Sequence, residues 1–316
     1  MSQYLRLPED TDSLLAPKIA AWRDSYERER YFEKASSAEI YARLNAIFLN
    51  IVEPTSSDKL AFLHPDDDKD EWYKSMFDCG VELALRDQPI PCVHLKGWPS
   101  LSRVQENFPE GLPDASGCLV RFGSKKRVTE FMEGSIRLAA ASEYDSSVLP
   151  TAIRDNELAI EERFRNGGIS IALETQAGTF DAVAKLHTAT FGTHSKSDYF
   201  MVSFTNSPRA RYFDDFGYDA FAVIRDISEF KKRVMHEVAR EHGLVGRLFE
   251  VQYYDPFRHS KRVWEIQNIS ACKDIAYKYQ QEYRFVWWPL APTKRLKALV
   301  VNVGAIDDIA ECFGLN

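Results

Sequence analysis

CLVRFGSKKRVTEFMEGSIRLAAA, residues 118–141, is the stretch that sets the architecture. CLVRFG (118–123) is short, apolar and aromatic, and reads as a strand. Ser124 is an N-cap residue, and Val128, Phe131 and Met132 fall on one face of the helix that follows. Gly134 stops that helix, and SIRLAAA (135–141) reads as a second strand. Strands and a short helix therefore alternate within one small region.

Further strands read outward from it: ISIALET (169–175), YFMVSF (199–204), AFAVIR (220–225), LFEVQYY (248–254), YRFVWW (283–288) and ALVVNV (298–303). One clear helix interrupts them. Asp226 with Glu229 starts it, Phe230, Val234 and Val238 line it, and Gly243 ends it. Asp155 and Glu157 read as charges at the start of another helix. Many strands with a few helices give an α+β domain.

Upstream the texture is helical. Leu15, Ile19, Trp22 and Tyr26 recur at helix spacing, and Ser36 with Glu39 forms a capping box before Ile40, Leu44, Ile47, Phe48 and Ile51. A third helix carries Trp72, Met76, Cys79 and Leu83. Residues 87–117 are rich in Pro and Gly and read as a connector with little regular helix. These shifts divide the chain into a helical N-terminal region, 1–112, and a second domain, 113–316. Charge divides similarly: residues 1–110 carry 13 basic and 20 acidic side chains, whereas the remainder carries 27 of each.

Several function classes find no support. There is no GxGxxG after a strand, no GxxxxGK[ST], no HExxH and no GxSxG. Asp66-Asp67-Asp68 lacks the spaced ligands of a calcium loop. Cys92 and His94 have no second ligand pair nearby, so no metal is expected. The five cysteines are widely spaced without a disulfide framework, and no apolar run spans a bilayer. A cytoplasmic protein that avoids membranes is the expectation.

The chemistry concentrates in YQQEYRFVWW (279–288). In an extended chain Gln280 and Glu282 share a side. Such a carboxylate can accept a ribose hydroxyl proton and stabilise positive charge on an anomeric carbon, while the amide orients a nucleophile. Arg284 is on the same face, and a Glu282–Arg284 ion pair at the surface is the competing reading.

An Arg on the first strand (Arg121), a Ser/Thr-rich strand (Ser203-Phe-Thr205-Asn-Ser207) and a final Gln280-x-Glu282 together resemble the Arg–Ser–Glu class of ADP-ribosyltransferases. Over roughly 118–290 the chain is also similar to bacterial toxin–antitoxin and phage-defence proteins, including DarT-like and mRNA-modifying ADP-ribosyltransferases. The resemblance implies a split β-sandwich that takes NAD⁺ as substrate without a metal. It implies Glu282 as catalytic glutamate with Gln280 beside it, and Arg121 on the NAD⁺ diphosphate. It implies Ser203, ahead of Thr205, as the supporting hydroxyl, and Tyr144 stacked on nicotinamide.

Basic and aromatic residues cluster at Lys125–Arg127, at Arg209–Phe213, and at Arg258–Arg262 with Trp264. They tip the expected acceptor towards nucleic acid, RNA foremost, over protein. An antitoxin or chaperone partner is a further expectation. The alternatives are an NAD⁺ glycohydrolase and a non-catalytic binding module with the same fold.

Overall fold

The computed structural model describes residues 16–56, 59–62, 69–90, 97–175, 178–257 and 269–316 of the 316. Leu15, His64, the 66–68 acidic run, Cys92, His94 and the 258–264 basic cluster lie outside them. The fold is mixed helix and strand around a large antiparallel sheet.

Three helices lead: α1 (Ala16–Glu29), α2 (Ser37–Ile51) and α3 (Lys69–Leu85), with a hairpin of β1 (Val52–Ser56) and β2 (Lys59–Phe62) after α2. Ser36 caps α2 as its sequence specifies. Its hydroxyl accepts from the Glu39 amide, and the Glu39 carboxylate takes the Ser36 amide in return. The apolar stripe of α2 packs with Tyr26, Phe32, Trp72, Cys79 and Leu83 into one core. Glu82, trapped beside it, is paired: it accepts from the Tyr26 hydroxyl at 2.5 Å and from Arg86 Nε at 2.7 Å. The 87–117 connector is not purely irregular. Prolines cluster at its ends, and between them the Leu101–Asn107 segment winds as α4, burying Leu101 and Val104.

The sheet runs β3 (Leu119–Gly123), β4 (Ser135–Ala140), β7 (Phe200–Thr205), β8 (Ala220–Ile224), β9 (Val245–Glu250), β12 (Glu282–Trp288), β13 (Leu299–Asn302) and β14 (Ala310–Gly314). A second pair, β10 (Gln252–Tyr254) and β11 (Cys272–Asp274), lies parallel beside it. β5 (Ala159–Thr175) and β6 (Gly178–His194) pair as a long hairpin. The expected helix after Asp155 and Glu157 is therefore a strand, defined by its antiparallel pairing with β6 and not by any local pattern. The expected single strand 248–254 breaks at Val251, where the chain leaves the edge of β12 and joins β11. Its amide still donates to the Glu282 carbonyl at 2.9 Å.

The central strand is β7. Along one edge it pairs with β12 over its whole length. Along the other it pairs with β4 at Phe200 and Met201, and with β3 at Thr205. So β3 and β4 share an edge and diverge from it, and the sheet forks. One branch continues through β8 to β14, the other to β13.

Two helices cover one face: α5 (Lys125–Met132), capped by Ser124, and α7 (Ile227–His242), capped by Asp226 and ended by Gly243 with φ 65°. Phe204, Phe230 and Phe285 meet there edge to face, with centroids 5.6–5.8 Å apart, tying β7, α7 and β12 together. Gly134 has φ 92°, and a Cβ there would sit 2.0 Å from the Gly304 carbonyl oxygen, so this turn admits only glycine. The short helix α6 (Tyr212–Phe216) packs on the other side with Phe122, Phe221 and Tyr279.

Candidate active site

The cavity at the fork is lined by Val120, Arg121 and Phe122 of β3, Ser203 to Thr205 of β7, Gln280 just before β12 and Glu282 at its start. Tyr144, Glu157 and Lys273 complete its polar wall. All six residues singled out from the sequence, Arg121, Tyr144, Ser203, Thr205, Gln280 and Glu282, line this one cavity. Its volume is about 110 Å³, which is less than the roughly 150 Å³ that accommodates a benzene ring in an apolar core. A second hollow of about 320 Å³ adjoins it, sharing Arg121, Phe122 and Tyr218 and adding Ser124, Lys126, Arg127 and Arg137. Arg121 stands between the two.

Register explains the convergence. Glu282 is opposite Thr205, and Arg284 opposite Ser203, so alternate residues of both strands face one side. The even residues of β7, Phe200, Val202 and Phe204, go to the apolar core on the other side. Gln280 and Glu282 do share a side, but not through the pleat. Gln280 ends a 3-10 turn (Ile275–Gln280), and Gln281 adopts φ 45°, a left-handed residue between them. Lys273 then ties the two: its Nζ donates to Gln280 Oε1 at 3.0 Å and to Glu282 Oε2 at 2.9 Å.

Glu282 does pair with Arg284, yet the pair is buried, not at the surface. Arg284 Nε donates to Glu282 Oε1 at 2.7 Å, while Nη1 and Nη2 grip Glu157 at 2.5 and 2.9 Å. Arg284 has no exposed surface, and Glu282 and Glu157 are 5% and 4% exposed. Burial pushes the Glu282 carboxyl up, but Arg284, then Lys273, and hydrogen bonds from Arg284 and Ser203 outweigh it. Glu282 is held well below the usual carboxylate range. Among the described residues only Arg284 is within ion-pair distance of Glu157, with Lys273 acting from further off. Burial dominates there, Arg284 opposes it, neighbouring Asp155 reinforces it, and its pKa rises to about 7.

The other side chains have distinct partners. Thr205 Oγ1 donates to the Gln280 carbonyl at 2.7 Å, so it fixes the turn before β12. Gln280 Nε2 donates to the Ala152 carbonyl at 2.7 Å. Arg121 Nη1 donates to the Ser203 carbonyl at 2.5 Å and its guanidinium lies 5.8 Å over the Phe204 ring. Among the described residues no carboxylate lies within ion-pair distance of Arg121. Burial pushes the Tyr144 hydroxyl up to about 12, so it is a neutral donor.

From the sequence Glu157 reads only as a charge at a helix start, and Lys273 is not singled out. Glu157 joins the site through a partner 127 residues away and Lys273 through partners seven and nine residues on, and no local pattern marks either. The basic cluster at 209–213 also differs from its expected role. Arg211 is fully buried, bonded to Asp215 and to the Leu49 and Val52 carbonyls, and Tyr212 and Phe213 are core. Arg211, Tyr212 and Phe213 therefore brace the helices from within, while Arg209, partly exposed, pairs with Glu53. Lys126 remains exposed beside the outer hollow.

No group of three or more His, Cys, Asp or Glu side chains among the described residues could hold a metal. No helix among them is long and apolar enough to cross a membrane. No family model, no curated protein and no solved structure matches this chain.

Proposed function

We propose that this chain is an NAD⁺-dependent ADP-ribosyltransferase with a split β-sandwich, Glu282 being its catalytic glutamate. The observation that carries the reading is a carboxylate held by two cations on the wall of a cavity that Arg121, Tyr144, Ser203 and Gln280 also line. Nicotinamide is larger than the inner cavity, so the wall at Tyr144 must give way for the ring to enter beside it. The diphosphate lies against Arg121, whose planar fork donates to phosphate oxygens in pairs. The rest of NAD⁺ extends into the outer hollow past Lys126 and Arg127.

In the reaction the ribose C1′–nitrogen bond breaks and nicotinamide departs neutral with the bonding pair. The negative Glu282 stabilises the cationic sugar, and the acceptor attacks near Gln280, releasing its proton to solvent. The exposed cations at the outer hollow favour a nucleic-acid acceptor, RNA foremost. A defence effector of the toxin–antitoxin kind fits this chemistry.

Full-length protein with adenylate-labelled NAD⁺ is expected to release nicotinamide and label RNA, DNA or protein. Glu282→Gln is expected to slow release about 100- to 1000-fold and to relieve toxicity on expression. Neither turnover nor NAD⁺ binding by the wild type would overturn the proposal. One observation favours a second reading: both Glu282 oxygens already have cationic partners. A non-catalytic module built on that network binds its ligand and releases no nicotinamide.

A further inference from the structure

Arg284 has more contacts than a simple partner of Glu282 needs. One side of its guanidinium meets Glu282, at 2.7 Å through Nε and 3.3 Å through Nη2. The other side is clasped by both oxygens of Glu157, and Nη1 also reaches the Ser270 carbonyl at 3.2 Å. Glu157 arrives from a different part of the chain, the connector before β5. That connector is itself anchored, since the Tyr199 hydroxyl donates to the Glu157 carbonyl at 2.7 Å. The chain thus positions a second buried carboxylate on the same cavity, bound to the guanidinium that orients the first.

We infer that Glu157 is a positioning residue for the site: it clasps one side of the Arg284 fork so that the other side fixes Glu282. The inference rests on the ADP-ribosyltransferase reading. Two carboxylates and two cations, Arg284 and Lys273, make the cluster neutral when all are ionised. Protonating Glu157 loosens its hold on Arg284 and leaves one positive charge in excess, which opposes a cationic sugar. The groups facing Glu157 are Arg284 and Glu282 of β12, Lys273 of β11, Tyr277 of the 3-10 turn, Tyr144, Tyr199 and its neighbour Asp155. Glu157 changes charge close to neutrality, so turnover falls as pH drops through about 7.

The test measures nicotinamide release from NAD⁺ by full-length wild type, Glu157→Gln and Glu157→Asp between about pH 5.5 and about 8.5. Wild-type kcat is expected to lose activity on the acid side of about 7. In Glu157→Gln, kcat at the plateau is expected to fall about tenfold, KM for NAD⁺ to stay within about twofold, and the acid limb to vanish. Glu157→Asp restores the limb and part of kcat. A folded Glu157→Gln with wild-type kcat and an unchanged profile overturns the inference and leaves the transferase reading standing. Should that variant not fold, a flat wild-type kcat across this range overturns it equally. Absence of NAD⁺ turnover by the wild type removes both.

Discussion

The cavity has two unlike ends. At the β12 end, Glu282, Arg284, Glu157 and Lys273 are buried and saturated with one another. At the β3 end, Arg121 is half-buried and holds one backbone carbonyl, with no carboxylate among the described residues in range. The first end has a fixed geometry that persists without ligand. The second leaves a guanidinium with donors to spare, which an incoming anion can use. A saturated network shapes a site, whereas an unsaturated cation recruits to it.

The contrast breaks most visibly at Arg284. Arg284→Met strands two buried carboxylates with one lysine between them. It is expected to cost about 3–5 kcal/mol of unfolding free energy in chemical denaturation. A loss below about 1 kcal/mol would show that the network is not under tension of this kind.

The pH dependence of stability sharpens the same end. Between the ordinary carboxylate value of 4.5 and about 7, unfolded Glu157 has released its proton and folded Glu157 retains it. Its contribution therefore falls as pH rises through that window, by up to about 3 kcal/mol. Glu282 runs the other way: its stabilisation is complete above 4.5 and is lost as pH falls below it. Urea unfolding of wild type and Glu157→Gln at several pH values separates them. The wild-type curve is expected to decline relative to the variant from pH 4.5 to about 7, and parallel curves would refute the shift.

The smallest effect on stability is expected at the other end. Arg121→Gln removes one hydrogen bond to a carbonyl, worth about 1 kcal/mol. Binding of NAD⁺, followed by calorimetry, is nonetheless expected to weaken about tenfold or more. Unchanged affinity would remove Arg121 from the diphosphate.

The two ends also differ in how far the sequence announces them. Arg121, Ser203 and Glu282 stand on strands whose apolar runs are local signals, and caps such as Ser36, Asp226 and Gly243 depend on neighbours three or four residues away. Those parts are legible. Glu157 and Arg284 are 127 positions apart, and their pairing depends on how the connector before β5 returns over β12. No window of sequence contains both. Gln280 and Glu282 illustrate a subtler gap: they share a side as the period of two expects, but a left-handed Gln281 and a common lysine produce it. β14 was illegible for another reason. AECFG mixes exposed and buried positions at a sheet edge, and only its pairing with β8 defines it.

The attachment of α2 has a consequence for how the chain can be divided. Asn50 Nδ2 donates to the Ile275 and Ala276 carbonyls, and Arg211 fills the space beneath the end of α2 while lying 4.1 Å over the Tyr279 ring. The turn bearing Gln280 is thus bolted to the amino-terminal helices. A protein begun at residue 113 would expose a buried guanidinium and free the turn that carries Gln280 from its anchor on α2. Whatever grips the helices from outside has a mechanical route to the amide beside Glu282.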